Sequence, residues 1–196
     1  MHILKPLLLR ALFAAAVFTA AGCACAGPLY HVTIDTRTLP GTGGYVDFLF
    51  AGPATPAAPT AAIAHATGAF DDADTFAWGS PRGSLESGLV LGNGDEFGEW
   101  LRFGGILAFD LAFDGVDDAD AAGMDLSVAL LDTDQFSYAP GTSGNVATFD
   151  LQPGLAASVT VDAGLASVIP VPEPAGLAQM ATGFVLLAGA LRRRRG

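Results

Sequence analysis

Between Gly27 and Pro170 the sequence has no lysine and no cysteine, and only three arginines, Arg37, Arg82 and Arg102, stand against nineteen acidic residues. The resulting formal charge of −16 on this stretch repels phosphate backbones and anionic lipid heads, so nucleic-acid binding is disfavoured and calcium or a basic partner is favoured. A stretch without cysteine holds no disulfide and no thiolate nucleophile. With only His31 and His65 as histidines there, and no G-x-S-x-G elbow, zinc sites and acyl-transfer chemistry lack their usual residues. Helix signals are also scarce: only Pro56 to Ala66 is Ala-rich enough for a short helix, and Pro59 suits a loop equally well.

What is present concentrates first at the two ends, which carry six of the nine basic residues. Residues 1–26 read as a secretory signal peptide. Lys5 and Arg10 supply the charged region, Ala11 to Ala21 the apolar region, and Ala24-Cys25-Ala26 an A-x-A site that places the cut before Gly27 and engages signal peptidase. A rival reading takes Ala21-Gly22-Cys23 as the end of a lipoprotein box with Cys23 lipidated, although Ala20 stands where such boxes usually carry Leu. At the other end, Val171-Pro172-Glu173-Pro174 precedes an apolar stretch, 175–191, and then Arg192, Arg193, Arg194 and Arg195. At about 1.5 Å per residue that stretch spans about 25 Å as a helix, near the lower limit for a bilayer. Arginines stay on the cytoplasmic side, so the preceding region faces outward, in agreement with the N-terminal export signal.

The Pro-Glu-Pro motif, apolar helix and terminal arginine cluster resemble the PEP-CTERM sorting signal of Gram-negative bacteria. The resemblance implies an exosortase, a membrane cysteine transpeptidase that cuts near Pro172-Glu173-Pro174 and passes the protein from the inner membrane to the cell surface or extracellular matrix, commonly alongside exopolysaccharide production. The same kind of tail also carries the label of an ice-binding protein C-terminal motif, which describes the tail alone. Ranked T-x-T ridges suit ice, and here Thr36-Arg37-Thr38 is the single instance.

The exported region, 27–170, reads as all-β. Tyr30 to Asp35 puts Tyr30, Val32 and Ile34 on one face, and Tyr45 to Phe50 follows a Gly-rich turn at Gly41 to Gly44, which predicts a hairpin. Ile106 to Phe113, Met124 to Asp132, Val146 to Leu151, Ser158 to Ala163 and Trp100 to Phe103 are further candidates, the fourth joined to the third through Gln152-Pro153-Gly154. Six to nine short strands predict a single antiparallel β-sandwich, jelly-roll-like, between the signal peptide and the transmembrane helix. The region also resembles a family of small PEP-CTERM proteins that begin with Tyr-x-Val-x-Ile-Asp-Thr, here Tyr30 to Thr36, and continue into Gly-Tyr-x-x-Phe-x-Phe, here Gly44 to Phe50. That resemblance implies no activity and no catalytic residues.

Four constellations carry chemistry on paper. Asp114, Asp117, Asp118, Asp120 and Asp125, with Asp110 just before, offer the oxygens calcium needs. Counted from Asp118 as an EF-hand loop, however, the fifth and twelfth positions are Ala122 and Ala129, so a solvated acidic loop competes with a calcium site. Gly92 to Gly98 misses G-x-G-x-x-G by one residue and contains two carboxylates; Asn93-Gly94 there reads as a tight turn. Glu86, Glu96 and Glu99 are the carboxylates a glycosidase-like pair would draw on, with nothing in their spacing to fix a separation. Tyr45, Trp78, Trp100 and Tyr138 are able to stack on sugar rings or to fill a core, with Trp78 the leading candidate ligand contact. The expected function is a non-catalytic surface or matrix protein, structural or adhesive in an exopolysaccharide or biofilm context. A carbohydrate-binding module is the first alternative and a divergent secreted hydrolase the second.

Overall fold

The computed structural model describes residues 29–53, 59–115, 123–152 and 155–171. Twelve strands run through them: β1 Leu29–Asp35, β2 Gly44–Ala51, β3 Thr60–Thr67, β4 Phe70–Trp78, β5 Arg82–Ser84, β6 Gly88–Gly92, β7 Asp95–Leu101, β8 Ile106–Asp114, β9 Asp125–Leu131, β10 Ala147–Asp150, β11 Ser158–Val161 and β12 Ala166–Val171. They form two antiparallel six-stranded sheets, ordered β12-β1-β8-β3-β6-β5 and β11-β10-β9-β2-β7-β4.

The alternation visible in the sequence is what makes the two sheets pack. Tyr30, Val32 and Ile34 of β1, with Leu107, Phe109, Leu111 and Phe113 of β8, form the inner face of the first sheet. Val46, Phe48 and Phe50 of β2, with Leu126, Val128 and Leu130 of β9, form that of the second. Aromatic rings lock the layers together: Phe48 meets Phe109 edge-on at 5.2 Å, and Tyr30 meets Phe149 at 5.3 Å. Each buried Phe contributes on the order of 2 kcal/mol of apolar burial. The Tyr30 hydroxyl, buried with its ring, accepts the Ala157 N–H at 2.9 Å, so its polar end is satisfied inside the core.

Two expectations are corrected. The first two strands do not form a hairpin: β1 pairs with β12 and β8, while β2 pairs with β7 and β9 in the other sheet. Each has its large residues on one side, so the two apolar faces stack across the core instead of lying edge to edge. The chain turns the corner at Thr36, whose buried hydroxyl donates to the Gly105 carbonyl at 2.9 Å and accepts the N–H groups of Gly104 and Gly105. That use of Thr36 removes it from any exposed T-x-T ridge. Second, the C-terminal part of Pro56 to Ala66 is neither helix nor loop but belongs to β3, inserted between β8 and β6 with Ala61 and Ile63 inward. Residues 54–58 lie outside the described residues.

The chain changes sheet at most of its connections; sequential neighbours pair only at β5–β6, β9–β10 and β10–β11. Asn93-Gly94 is indeed a tight turn, with Gly94 at φ +85°, and it carries the chain from the first sheet to the second. Asp95 ties this crossing down, its carboxylate accepting the N–H of Gly92 and of Ser80, both at 2.7 Å.

Candidate functional site

The outer face of the second sheet holds the most unusual chemistry. Register sets Tyr138, Leu131, Tyr45 and Trp100 in one row across it, because Tyr138 bridges Leu131, Leu131 pairs with Tyr45, and Tyr45 with Trp100. The next row is Ala129, Asp47, Gly98 and Phe76, and the next ends in Glu96 and Trp78. Three of the four aromatics singled out in the sequence therefore share a row, and Trp78 lies two rows away, 68% exposed.

Tyr45 is the hub. It stands edge to face with Trp100 at 5.3 Å and with Phe76 at 5.5 Å, and its hydroxyl donates to Asp74 Oδ1 at 2.7 Å. That bond to a carboxylate, with burial second, raises the phenol's pKa. Asp74 reaches Tyr45 because β4 slips register between Asp71 and Thr75, a bulge that turns a run of acidic residues out of the ladder. Trp100 lies over Gly43 and forms one wall of an open groove of about 530 Å³, lined also by Gly41, Thr42, Arg102 and Phe103. Tyr45 itself is only 4% exposed and packs beneath its neighbours, so Trp100 with Arg102 along the groove, and the exposed Trp78 and Tyr138, are the groups able to stack on or hydrogen-bond to a hydroxyl-rich ligand.

Two carboxylates flank the strand pair β2 and β7 from opposite sides. Asp47, on the outer face, is 8% exposed and its Oδ1 has no partner; burial, then the charge of Glu96, pushes its pKa up to about 7. Glu99 pairs with Val46 and so points into the core, fully buried, with neither oxygen hydrogen-bonded. Burial, then Asp72 beside it, also pushes Glu99 up to about 7. Glu96 and Glu99 stand on opposite faces of β7, so those two cannot act as a glycosidase-like pair across one bond.

On the outer face of the first sheet, His31 and His65 both place Nδ1 against Asp110, at 2.7 and 2.9 Å. These contacts, the His31 one foremost, hold the Asp110 carboxyl below the usual carboxylate range. His65 gets there through a second bulge, between Ala64 and Thr67, where it takes φ +52°, a conformation few side chains adopt. The one hint in the sequence was that His31 lies on the polar side of its strand. Nothing in it announces that His65, 34 positions later, reaches the same carboxylate, since the ladder partner of Asp110 on β3 is Ala64.

For the acidic loop, Asp114 closes β8 and accepts the Gly115 N–H, and Asp125 opens β9 directly across from Asp150. Burial, and then Asp150, raise the Asp125 pKa. Asp117, Asp118 and Asp120 lie outside the described residues, and among the described residues no three His, Cys, Asp or Glu side chains are grouped to hold a metal. Val171 is the last residue of β12, while Ala24, Ala26, Gly27, Pro172, Glu173, Pro174, the apolar stretch 175–191 and Arg192 to Arg195 lie outside the described residues. Among the described residues no helix is long and apolar enough to cross a membrane.

No family model, curated protein or solved structure matches this chain.

Proposed function

We propose that the chain is a non-catalytic surface or matrix protein of a Gram-negative bacterium, exported by its N-terminal signal, held at the inner membrane by residues 175–191, and released to the cell surface by an exosortase. It presents a jelly-roll-like sandwich in an exopolysaccharide or biofilm setting. The observation that supports this reading is the pairing of Leu29 with Val171. The first strand after the export signal and the last strand before the sorting motif lie side by side and antiparallel, so both signals join the domain at one point. Attachment through the paired ends Leu29 and Val171 suits display. The test is intact mass and fractionation of the protein in cells with and without exosortase. Loss of a cut near Glu173 and retention in the inner membrane on deleting the enzyme is the expected result; an unchanged mass and location would refute the reading.

A second reading, a carbohydrate-binding module, draws support from Trp100 on the wall of the groove and from the exposed Tyr138 and Trp78 on the same face. With −16 on the exported region, a neutral polysaccharide is the fitting ligand class.

A further inference from the structure

β12 is the edge strand of the first sheet, and its last residues, Ile169, Pro170 and Val171, face His31, Tyr30 and Leu29 across the ladder. Pro172-Glu173-Pro174 follows Val171 directly in the sequence, so no residue separates the final ladder position from the sorting motif. Enzymes that cut chains bind several residues on either side of the scissile bond in extended form, through main-chain hydrogen bonds of their own. A bond near Glu173 therefore requires the residues just before it, and these are held by β1.

The same residues are held weakly. Within β12 only Ala166 is buried, and Val168 packs part-way onto the core. Ile169 and Pro170 are exposed. An edge segment secured by a few backbone bonds, with little apolar burial, opens far more readily than the domain unfolds.

We propose that β12 gates its own processing: Ile169 to Val171 must peel from Leu29 to His31 before the transpeptidase takes the sorting motif. This rests on the sorting reading above. In the gated step the enzyme's thiolate adds to the scissile carbonyl and the peptide C–N bond breaks. The departing amine takes a proton, and the acyl group passes from sulfur to an acceptor amine or hydroxyl, or to water. The gate sets how often that carbonyl is presented, and a folded sandwich is thereby held at the membrane longer than its tail alone would be.

The experiment follows processing of the full chain in exosortase-bearing cells by pulse-chase. Leu29→Cys with Val171→Cys joins two paired positions whose Cα separation in an antiparallel ladder, about 4.5–5.5 Å, lies in the disulfide range. Mass spectrometry confirms that the bond has formed. The locked protein is expected to be cut at least tenfold more slowly than wild type, with the rate restored by reductant. A spacer of about six Gly and Ser residues between Val171 and Pro172 supplies free extended chain. It is expected to speed cutting several-fold and to rescue the locked protein without reductant. Cutting of the locked protein at the wild-type rate, or a spacer that changes neither rate, overturns the gate while leaving the sorting reading intact. A wild-type chain that is never cut overturns both.

Discussion

Phe76 lies against Gly98 so closely that a Cβ at residue 98 would sit 2.1 Å from its ring. Asp47 is Gly98's partner on the other side, in the same row of the outer face, with its carboxylate 8% exposed. Glycine at 98 is what lets the ring down onto the sheet beside Asp47 and into contact with Tyr45. Gly98→Ala should push the ring outward, cost about 1–3 kcal/mol through overpacking, and return Asp47 toward an ordinary carboxylate pKa. Chemical denaturation and carboxyl NMR titration check this. A variant as stable as wild type, with Asp47 still titrating near 7, would show that Phe76 is not the cover.

Stability should fall as pH rises from about 4 to about 7. Asp47 and Glu99 both have folded pKa values near 7, above the roughly 4 of an unfolded carboxyl. Across that window the folded state binds more protons than the unfolded one, so raising the pH favours unfolding. The loss is complete above pH 7 and absent below 4, on the order of 4 kcal/mol at most for each group. Asp47→Asn and Glu99→Gln should each flatten the slope and raise stability at pH 8. Urea midpoints at pH 4.5, 6 and 8 provide the measurement, and parallel slopes for variants and wild type would rule the assignment out.

Trp78 is the exposed end of the aromatic face, so Trp78→Ala should leave the melting temperature unchanged. If the carbohydrate-binding reading holds, the same variant should lose retardation in gels containing a neutral polysaccharide. Retardation of the variant equal to that of wild type would remove Trp78 from the binding face.

Calcium is expected to make no difference to the melting temperature at millimolar concentration relative to a chelator, since the acidic run after β8 places alanine at the fifth and twelfth positions of an EF-hand count and reads as a solvated loop. A rise of several degrees, lost in Asp125→Asn, would place an ion in the loop after β8.

The inner faces are legible from period-two alternation, and the ranges it marks lie within one or two residues of β1, β2, β8, β9 and β10. Partners were not legible. Two strands with equally good apolar faces, such as Tyr30 to Ile34 and Val46 to Phe50, suit a hairpin or a stacked pair alike, and distant strands decide between them. β4 carries no such pattern because Asp71, Asp72 and Asp74 break its alternation, and the bulge that accommodates them also delivers Asp74 to Tyr45. Tyr45, Trp78, Trp100 and Tyr138 stand out by residue type, but that they share one face does not, because Phe76 and Trp78 enter it on that strand. The contact of His31 and His65 with Asp110 depends on His65 taking a left-handed conformation within β3, which an alternation pattern does not signal.

Pro170 has a consequence beyond the pairing of β12 with β1. Proteins crowded in one plane and anchored alike bring their free sheet borders together, and a border with an unbroken run of donors invites neighbours to zip into fibres. On the proposed reading, the border next to the attachment point is interrupted by a residue that cannot donate, on a domain carrying one dominant sign of charge. Copies packed side by side should therefore remain separate particles rather than polymerise along that border.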